Sequence, residues 1–238
     1  MSNQLISIIT VVYNGAFTLE QTILSVINQT YKNIEYIIID GGSTDGTVDI
    51  IKKYEPHLAC WVSEPDKGIY DAMNKGIDKA TGEWINFMNS GDWFYDNNVI
   101  TLFESNINNC DILYGATIAF QRRKSIYCKA QEIIKIKKNM PCCHQSVFCK
   151  SNILKKHMFD LRYLICADYN LLYILYKNNA KFKKIDNIIS CFEATHGVSS
   201  MNKNKLIEEV SKISGRNLFM VRIEYFLRDL KNRITCLK

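Results

Sequence analysis

The chain has 238 residues, of which 47% are hydrophobic and 23% charged, a balance that is ordinary for a globular protein and excludes disordered or fibrous classes. No apolar run approaches the roughly 18 residues that a membrane span needs, so we do not expect the chain to cross a bilayer. The net charge is +6, and basic residues concentrate after position 120, which indicates an anionic partner such as phosphate, nucleic acid or a membrane surface.

Apolar runs alternate with helical spacing through the first part of the chain. We predict strands at 5–12, 34–39, 58–62 and 84–88, and helices at 17–28, 47–54 and 69–79. Strands that alternate with helices over short loops favour parallel order with right-handed crossovers. The predicted fold class is therefore α/β, with a doubly wound, mostly parallel sheet.

Each of these strands ends in polar, glycine-containing sequence. Because the carboxyl ends of parallel strands meet at one edge of a sheet, four side chains should converge there: Tyr13, Asp40, Asp66 and Asp92. A single strand-end aspartate is usually a turn former, but four polar strand ends around one crevice favour a ligand site. The loop at 40–46 matches neither a P-loop nor the G-x-G-x-x-G pattern, which argues against a P-loop hydrolase and a nicotinamide enzyme.

Asp92 follows the most apolar of these strands, after Asn89, Ser90 and Gly91. An acid held at the end of a stiff strand suits a divalent metal, because Mg²⁺ typically takes one or two carboxylates together with substrate phosphates. The alternative is a turn aspartate that bonds its own backbone. The residues around Asp92 leave both interpretations open.

The pattern changes after a helix predicted at 97–108. We predict strands at 111–120, 124–129, 146–149 and 181–192, of which the first two are antiparallel, and a helix that follows Asp168. This half is α+β in style. Asp168 lies in or beside the first turn of its helix, where it either interacts with the helix dipole or serves as a general base.

Three further polar residues are candidates for a site. His144 and Gln145 stand at the entrance of the 146–149 strand, where they could bond a hydroxylated ligand. His196 lies in a loop that could fold back over the crevice. A lone loop histidine is more often a surface residue than a metal ligand, so His196 is the weakest candidate.

Nine cysteines show no regular spacing, and the N-terminus has no apolar region of the signal-peptide kind. This pattern predicts free thiols in a reducing cytoplasm. Cys142 and Cys143 are adjacent rather than spaced as C-x₂-C, which disfavours a zinc site. We therefore expect a cytoplasmic protein without structural zinc.

The chain is predicted to be helical from Lys203 to its end. Apolar residues at three- and four-residue spacing include Phe219, Ile223 and Phe226, and arginines and lysines occupy much of the remaining circumference. Such a basic amphipathic helix can lie in a membrane interface. Packing onto its own domain or onto a second subunit is the alternative, and the pattern leaves both open.

Four segments in order along the chain, 9–14, 40–47, 63–76 and 89–92, resemble the family 2 glycosyltransferases, in particular the bacterial branch that builds surface polysaccharides. The resemblance extends from residue 5 to about 200. It implies a GT-A type nucleotide-sugar-binding fold. In these terms 1–110 is a nucleotide-sugar-binding half, 111–200 an acceptor-binding half and 201–238 a C-terminal helical appendage.

The resemblance also implies the residues of a donor site. The strand end at Thr10 to Tyr13 would hold the nucleotide base, usually uracil, with Asp40 accepting its imide hydrogen. Residues after the third strand would line the ribose, diphosphate and sugar. The implied donor-binding set is Thr10, Val12, Tyr13, Asp40, Gly42, Asp66, Lys67, Asp71, Asn74, Ser90 and Gly91.

Asp92 corresponds to the last acid of the family's Asp-x-Asp-like metal motif, which implies Mn²⁺ or Mg²⁺ as cofactor, with His196 as a second metal candidate. Asp168 matches the family's catalytic base, and His144 with Gln145 matches a His-Gln pair assigned to acceptor binding. Where many relatives have further acids, this chain has Asn89 and Gly91, so diphosphate oxygens and water would complete the coordination.

The implied activity is that of an inverting glycosyltransferase, in which an acceptor hydroxyl attacks the anomeric carbon of a UDP-sugar while Asp168 takes the proton. The implied acceptor is a saccharide, lipid-linked if the C-terminal helix contacts the inner membrane face. We expect no nucleic acid partner and leave oligomerisation open. The alternatives are a polyprenyl-phosphate sugar transferase or nucleotidyltransferase on the same fold, and a non-enzymatic module that binds glycan or nucleic acid.

Overall fold

Strands and helices alternate from Ile6 to Phe87 in the computed structural model, which describes residues 3–121, 124–194 and 202–235, the last eight of these by their backbone alone. The elements of this first part are β1 (Ile6–Val12), α1 (Leu19–Ile27), β2 (Ile34–Asp40), α2 (Thr47–Lys53), β3 (Cys60–Ser63), α3 (Ile69–Lys79) and β4 (Trp84–Phe87). Every strand and helix that the sequence predicts here is present, with bounds within two residues of the prediction.

The second part begins with an edge strand and ends with two helices. Its elements are β5 (Asp92–Phe94), α4 (Val99–Glu104), β6 (Ile112–Gln121), β7 (Lys124–Cys128), β8 (Val147–Lys150), α5 (Ser151–His157), α6 (Ala167–Lys177), β9 (Phe182–Glu193), α7 (Lys203–Ser214) and α8 (Leu218–Thr235). Short 3₁₀ helices lie at Glu55–His57, Ile133–Lys137 and His144–Ser146.

The nine strands of the described residues form a single sheet in the order β3-β2-β1-β4-β8-β6-β9-β5, with β7 paired onto β6. The strands β3, β2, β1 and β4 are parallel, as predicted. Beyond them the sheet is mixed, because β8 runs antiparallel to both β4 and β6, whereas β9 is parallel to β6. The predicted antiparallel pairing of the two strands after residue 111 is confirmed in β6 and β7.

Of the parallel strands, β1, β4 and the last five residues of β2 are buried on both faces of the sheet, whereas the edge strand β3 is half-buried. Along β1, Ile9 and Val11 belong to a core cluster that also holds α3 and α6 residues, whereas Ile8 and Val12 belong to a second cluster with α1. Successive side chains of a strand point to opposite faces, so an uninterrupted apolar run can supply both clusters. This double burial is the physical basis of the predicted doubly wound arrangement.

The structure differs from the sequence predictions at four places, of which the first is α4, a shorter helix than the one predicted at 97–108. Asp92 begins the short strand β5, which the sequence did not predict and which pairs antiparallel with β9. The helix α5 was not expected. The C-terminal region is two helices, because Gly215 ends α7 in the left-handed conformation (φ +67°) that favours glycine at a helix C-terminus.

The helix α8 presents two different faces. Val221 is fully buried against the core, and Tyr225 packs beside it. Among the first ten residues of this helix, four large apolar side chains are exposed: Phe219, Met220, Phe226 and Leu227. Met220, Phe226 and Leu227 follow Phe219 by one, seven and eight positions, which places all four on one side of the helix. Within the described residues, no helix is both long and apolar enough to cross a membrane.

Candidate active site

The carboxyl ends of the parallel strands lie side by side at one edge of the sheet. Val12 of β1 is in register with Asp40 of β2, which is in turn in register with Ser63 of β3. The Ser90 N–H donates to the carbonyl of Val11 (3.1 Å), which brings the loop after β4 to the same edge. The predicted convergence of these strand ends is confirmed.

Asp40 organises the loop at this edge. Its carboxylate is fully buried and accepts hydrogen bonds from the N–H groups of Gly42 (3.1 Å) and Ser43 (3.0 Å) and from the hydroxyls of Ser43 (2.5 Å) and Ser63 (2.6 Å). A carboxylate with four donors fixes the backbone around it. Asp40 therefore shapes the loop that would face a ligand, and its contact with a base stays a prediction.

Asp66 and Tyr13 meet the same loop from either side. A side-chain carbon at Gly41 would stand 2.4 Å from Asp66 Oδ2 and 3.4 Å from the Tyr13 ring, so a larger residue there would displace the Asp66 carboxylate. Tyr13 is 67% exposed, and its ring forms an open surface at the edge. Ser90 lies near Gly15 and is hydrogen-bonded to Thr18 (2.9 Å between hydroxyl oxygens).

Other predicted donor residues are used within the fold. Thr10 is fully buried, with its hydroxyl bonded to Tyr36 (2.9 Å) and to the carbonyl of Met88 (2.7 Å). The Asn74 amide donates to the Phe159 carbonyl (2.9 Å) and accepts from the Phe159 N–H (2.8 Å). The structure thus does not bring these two side chains to the open edge, and their contact with a donor stays a prediction.

The loop that precedes α3 is held by two aspartates of the predicted donor set. Asp66 accepts from the Gly68 N–H (2.8 Å), and Asp71 accepts from the Lys67 N–H (3.0 Å). The Lys67 side chain is exposed. These bonds fix the loop backbone and leave the lysine ammonium available to an anion.

A second group of residues joins the two halves of the sheet at His144. Its Nε2 lies 3.8 Å from Asp92 Oδ2, and its Nδ1 lies 3.8 Å from Asp168 Oδ2. Asp92 comes from β5, His144 from a 3₁₀ helix before β8, and Asp168 from the first turn of α6. The structure thus brings the two candidate acids Asp92 and Asp168 to either side of His144, and their roles stay predictions.

Asp92 is buried, and burial raises its pKa to about 6 because a carboxylate loses hydration there. The nearby His144 and a hydrogen bond from Gln145 Nε2 to Asp92 Oδ1 (3.0 Å) both oppose this rise. The interaction with Gln145 places both members of the predicted His-Gln pair against Asp92. A carboxylate kept at this depth has a high affinity for positive charge.

The surroundings of Asp92 suit a hard cation. Asn89 Oδ1 and Gln145 Oε1 are buried without a hydrogen-bond partner among the described residues, and Asn89 Nδ2 lies 3.1 Å from His144 Nε2. Carboxylate and amide oxygens are the ligands that Mg²⁺ and Mn²⁺ take. Within the described part of the chain, no group of three or more His, Cys, Asp or Glu side chains is placed to hold a metal. His196 lies outside the described residues.

Tyr70, which the sequence reasoning did not single out, contacts the carboxylate of Asp168. Its hydroxyl lies 3.2 Å from Asp168 Oδ1 and 2.6 Å from the carbonyl of Ile165. Burial raises the pKa of Tyr70 well above its usual value, so the phenol stays protonated and remains a donor. The position of Tyr70 inside the 63–76 segment was the signal that could have identified it.

The sequence model described as glycosyl transferase family 2 matches residues 7–179, which include every described residue of this site. The chain belongs to this family. Its relatives include a PGL/p-HBAD biosynthesis glycosyltransferase of Mycobacterium tuberculosis, 28% identical over 196 residues that cover 79% of this chain and 76% of the relative. Glycosyltransferase GlyA of Streptococcus pneumoniae is 30% identical over 125 residues, which cover 51% of this chain and 18% of the relative.

Solved structures of glycosyltransferases share the fold of this family 2 enzyme. S. aureus TarS (residues 1–349) superposes with a TM-score of 0.68 at 17% identity, over 87% of this chain and 64% of the TarS chain. TarS was also solved with UDP and with UDP-GlcNAc. Mannosyltransferase PcManGT from Pyrobaculum calidifontis, solved with GDP-Man and Mn²⁺, has a TM-score of 0.67 at 16% identity, over 88% of this chain and 63% of that chain. The chain thus spans just under two thirds of these two solved chains.

Proposed function

We propose that this family 2 glycosyltransferase moves a sugar from a nucleotide diphosphate sugar, UDP-linked, to a hydroxyl of a saccharide acceptor, with inversion at the anomeric carbon. The observation that carries this proposal is the placement of His144 between Asp92 and Asp168, at 3.8 Å from each. One acid is buried and would face the leaving group, and the other begins a helix on the acceptor side. An inverting transfer needs a base at the attacking hydroxyl and a positive charge that neutralises the leaving diphosphate on the opposite side of the reacting carbon, and Asp168 and a cation held by Asp92 would supply these.

The donor would lie along the carboxyl edge of the parallel strands. The exposed Tyr13 ring would stack on the base, and the loop that Asp40 fixes, with Val12 and Gly42, would enclose the nucleoside. Asp66 and Lys67 would border the ribose and the diphosphate, with the exposed lysine ammonium near phosphate oxygens. Ser90 and Gly91 lead from this edge to Asp92.

A divalent ion, Mn²⁺ or Mg²⁺, would be held by Asp92 together with donor phosphate oxygens. When bound, it supplies Lewis-acid neutralisation of the charge that grows on the departing nucleoside diphosphate. Asn89 Oδ1, buried without a hydrogen-bond partner among the described side chains, is a further oxygen beside this acid. Gln145 orients the carboxylate through its hydrogen bond to Oδ1.

On the acceptor side, Asp168 would take the proton of the attacking hydroxyl. The Tyr169 N–H donates to Asp168 Oδ1, and the Tyr70 hydroxyl, which donates to the Ile165 carbonyl, lies 3.2 Å from the same oxygen. Oδ2, the oxygen 3.8 Å from His144 Nδ1, is therefore the one directed to the shared site. General-base catalysis of this kind contributes typically 10²- to 10⁴-fold. His144 and Gln145 would border the acceptor sugar.

The biological setting that we propose is bacterial surface-glycan synthesis at the cytoplasmic face of the inner membrane, with a lipid-linked acceptor. The bacterial relatives named for glycosyltransfer and the exposed apolar side of α8 support it. In this setting α8 would lie against the membrane and hold the enzyme near its acceptor.

Two measurements test the proposed reaction. In the first, the melting temperature of the enzyme is measured with a panel of UDP-, GDP- and dTDP-sugars, with and without Mn²⁺. A UDP-sugar at about 100 times its Kd should raise Tm by roughly 5 to 10 °C, and should do so more strongly with Mn²⁺. Stabilisation by every donor class alike, or by none, would contradict the assignment of a UDP-sugar.

The variant Asp168→Asn tests the base. We expect transfer to fall about 10²- to 10⁴-fold, with donor stabilisation unchanged. Asp186→Asn, in which an exposed carboxylate of β9 is neutralised, is the matched control and should transfer sugar at the original rate. Unchanged transfer by Asp168→Asn, or a loss of donor binding, would remove Asp168 from its proposed role.

A further inference from the structure

Glu209 on α7 is a buried carboxylate that lies outside the proposed active site. It is 4% exposed and accepts three backbone hydrogen bonds: from the N–H of Leu164 (2.9 Å) to Oε1, and from the N–H groups of Ile165 (3.0 Å) and Cys166 (2.9 Å) to Oε2. Burial of a charge is costly unless it is well hydrogen-bonded, and bonds to a carboxylate are stronger than bonds between neutral groups. This contact is therefore specific.

The three N–H groups belong to the segment that leads into α6. Cys166 is the residue before Ala167, where α6 begins, and Asp168 follows in its first turn. Tyr70 holds the same segment from the other side, because its hydroxyl donates to the Ile165 carbonyl. Two side chains thus fix the backbone that leads to Asp168. Glu209 accepts from its N–H groups, and Tyr70 donates to one of its carbonyls.

The helix α7 is a firm support for Glu209. Two other residues of α7 are buried in the core: Val210, which follows Glu209, and Ile213. The same core cluster holds Leu171, Leu172 and Leu175 of α6. Movement of Glu209 relative to α6 would require this packing to open. The negative charge also lies near the N-terminal end of α6, where the helix dipole favours it.

We propose that Glu209 is a positioning residue, which sets the place and direction of the Asp168 carboxylate relative to the acceptor hydroxyl. This inference rests on the proposed role of Asp168 as general base. It makes the helical appendage part of the catalytic apparatus of the enzyme. The carboxylate of Glu209 is buried against the backbone of residues 164–166 and outside the proposed donor site, so its loss should lower the rate of transfer without weakening donor binding.

The test compares Glu209→Gln with Glu208→Gln in the 238-residue chain. Glu208 is the adjacent residue, its side chain is half exposed, and its charged neighbour is Arg222 at 4.0 Å. Glutamine at 209 offers one acceptor oxygen and turns an N–H donor towards the remaining amides. We expect kcat to fall roughly 10- to 100-fold, since small misplacement of a catalytic group has effects of this size. Donor Kd and acceptor KM should stay within about twofold, and Glu208→Gln should match the original enzyme.

Asp168→Asn is combined with Glu209→Gln to separate positioning from general damage. If Glu209 acts through Asp168, the double variant should transfer sugar no more slowly than Asp168→Asn alone. An equal additional loss in both backgrounds would overturn the positioning role while leaving the base intact. Full activity of Asp168→Asn would instead overturn the base assignment, that is, the proposed function.

Hydrogen exchange supplies a readout that does not depend on activity. The amides of residues 164–166 should exchange faster in Glu209→Gln than in Glu208→Gln, and unchanged exchange would contradict the proposal. If Glu209→Gln does not accumulate as a folded protein, Glu209→Asp replaces it, since it keeps the charge and shortens the side chain by one carbon. Glu209→Asp should then show a smaller fall in kcat that also disappears in the Asp168→Asn background, and a fall that persists there would reject the proposal.

Discussion

Asp92 combines burial with a charge that the proposed reaction requires. Burial raises its pKa to about 6 in the folded protein, above the value of 3.8 that the residue has when exposed. A group whose pKa is raised by folding contributes stability below its unfolded pKa, and this contribution is lost as the pH rises through the folded pKa. Asp92 should therefore cost the fold about 2 to 3 kcal/mol above pH 6 and nothing below about pH 4.

This cost predicts the behaviour of Asp92→Asn. Asparagine keeps the size of the side chain and can still accept from Gln145, but it carries no charge to bury. We expect the variant to exceed the original enzyme in free energy of unfolding at pH 8 by about 2 kcal/mol, and the difference to narrow towards pH 4. Metal-dependent transfer should be lost. Urea unfolding at a series of pH values measures the first effect, and donor turnover with Mn²⁺ measures the second.

Asp111→Asn is a control for which the expected change in the free energy of unfolding has the opposite sign. Hydrogen bonds from the Lys181 N–H and from Lys150 lower the pKa of Asp111, so its charge stabilises the fold at neutral pH, and this contribution is lost as the pH falls. The variant should be less stable than the original enzyme at pH 8. If Asp92→Asn were also destabilised at pH 8, the account of Asp92 as a strained, functional carboxylate would be wrong.

At the scale of elements, α3 is joined to the segment before α6 by Asn74. Its amide makes two hydrogen bonds with the backbone of Phe159, which itself packs against Tyr70 and Phe87. This arrangement connects the helix of the predicted donor half with the acceptor half.

Asn74→Ala tests whether Asn74 supports this loop or binds the donor. The substitution leaves an N–H and a carbonyl of Phe159 without these partners, so we expect a loss of about 1 to 3 kcal/mol in the free energy of unfolding. Donor Kd should change little. Asp78→Ala, at an exposed position of the same helix, is the control and should leave stability unchanged or slightly raised. A loss of donor affinity at unchanged stability would support the direct donor contact that the family resemblance implies.

The apolar pattern predicted the central parallel strands because they are buried on both faces, which leaves apolar runs such as 36–39. It did not predict β5, which has three residues, too few for a pattern to emerge. It also could not identify Tyr70 or Glu209 as supports of the Asp168 segment. Their partners lie 95 and 43 to 45 residues away along the chain, and only the packed fold brings such groups together.

At the scale of the whole molecule, α8 is both part of the core and a source of exposed apolar surface. Val221 is fully buried, so removal of the whole helix would open the core as well as delete the surface. Point substitutions on the outer side are the better probe. Phe219 and Phe226 are 68% and 64% exposed and lie seven residues apart, which places them on one side of the helix.

We expect the double variant Phe219→Ser with Phe226→Ser to lose binding to anionic liposomes while keeping its fold. Burial of a phenylalanine side chain contributes about 1.5 to 3 kcal/mol, and about 1.4 kcal/mol is already a tenfold change in an equilibrium constant. Loss of two such side chains should therefore lower the liposome partition coefficient, measured by co-sedimentation, at least tenfold. Ile134→Ser removes an apolar side chain that is 51% exposed elsewhere on the surface and should bind as the original enzyme does. If the double variant sediments with liposomes unchanged, but a dimer seen by light scattering dissociates, then the outer side of α8 is a contact between subunits and the membrane role is rejected.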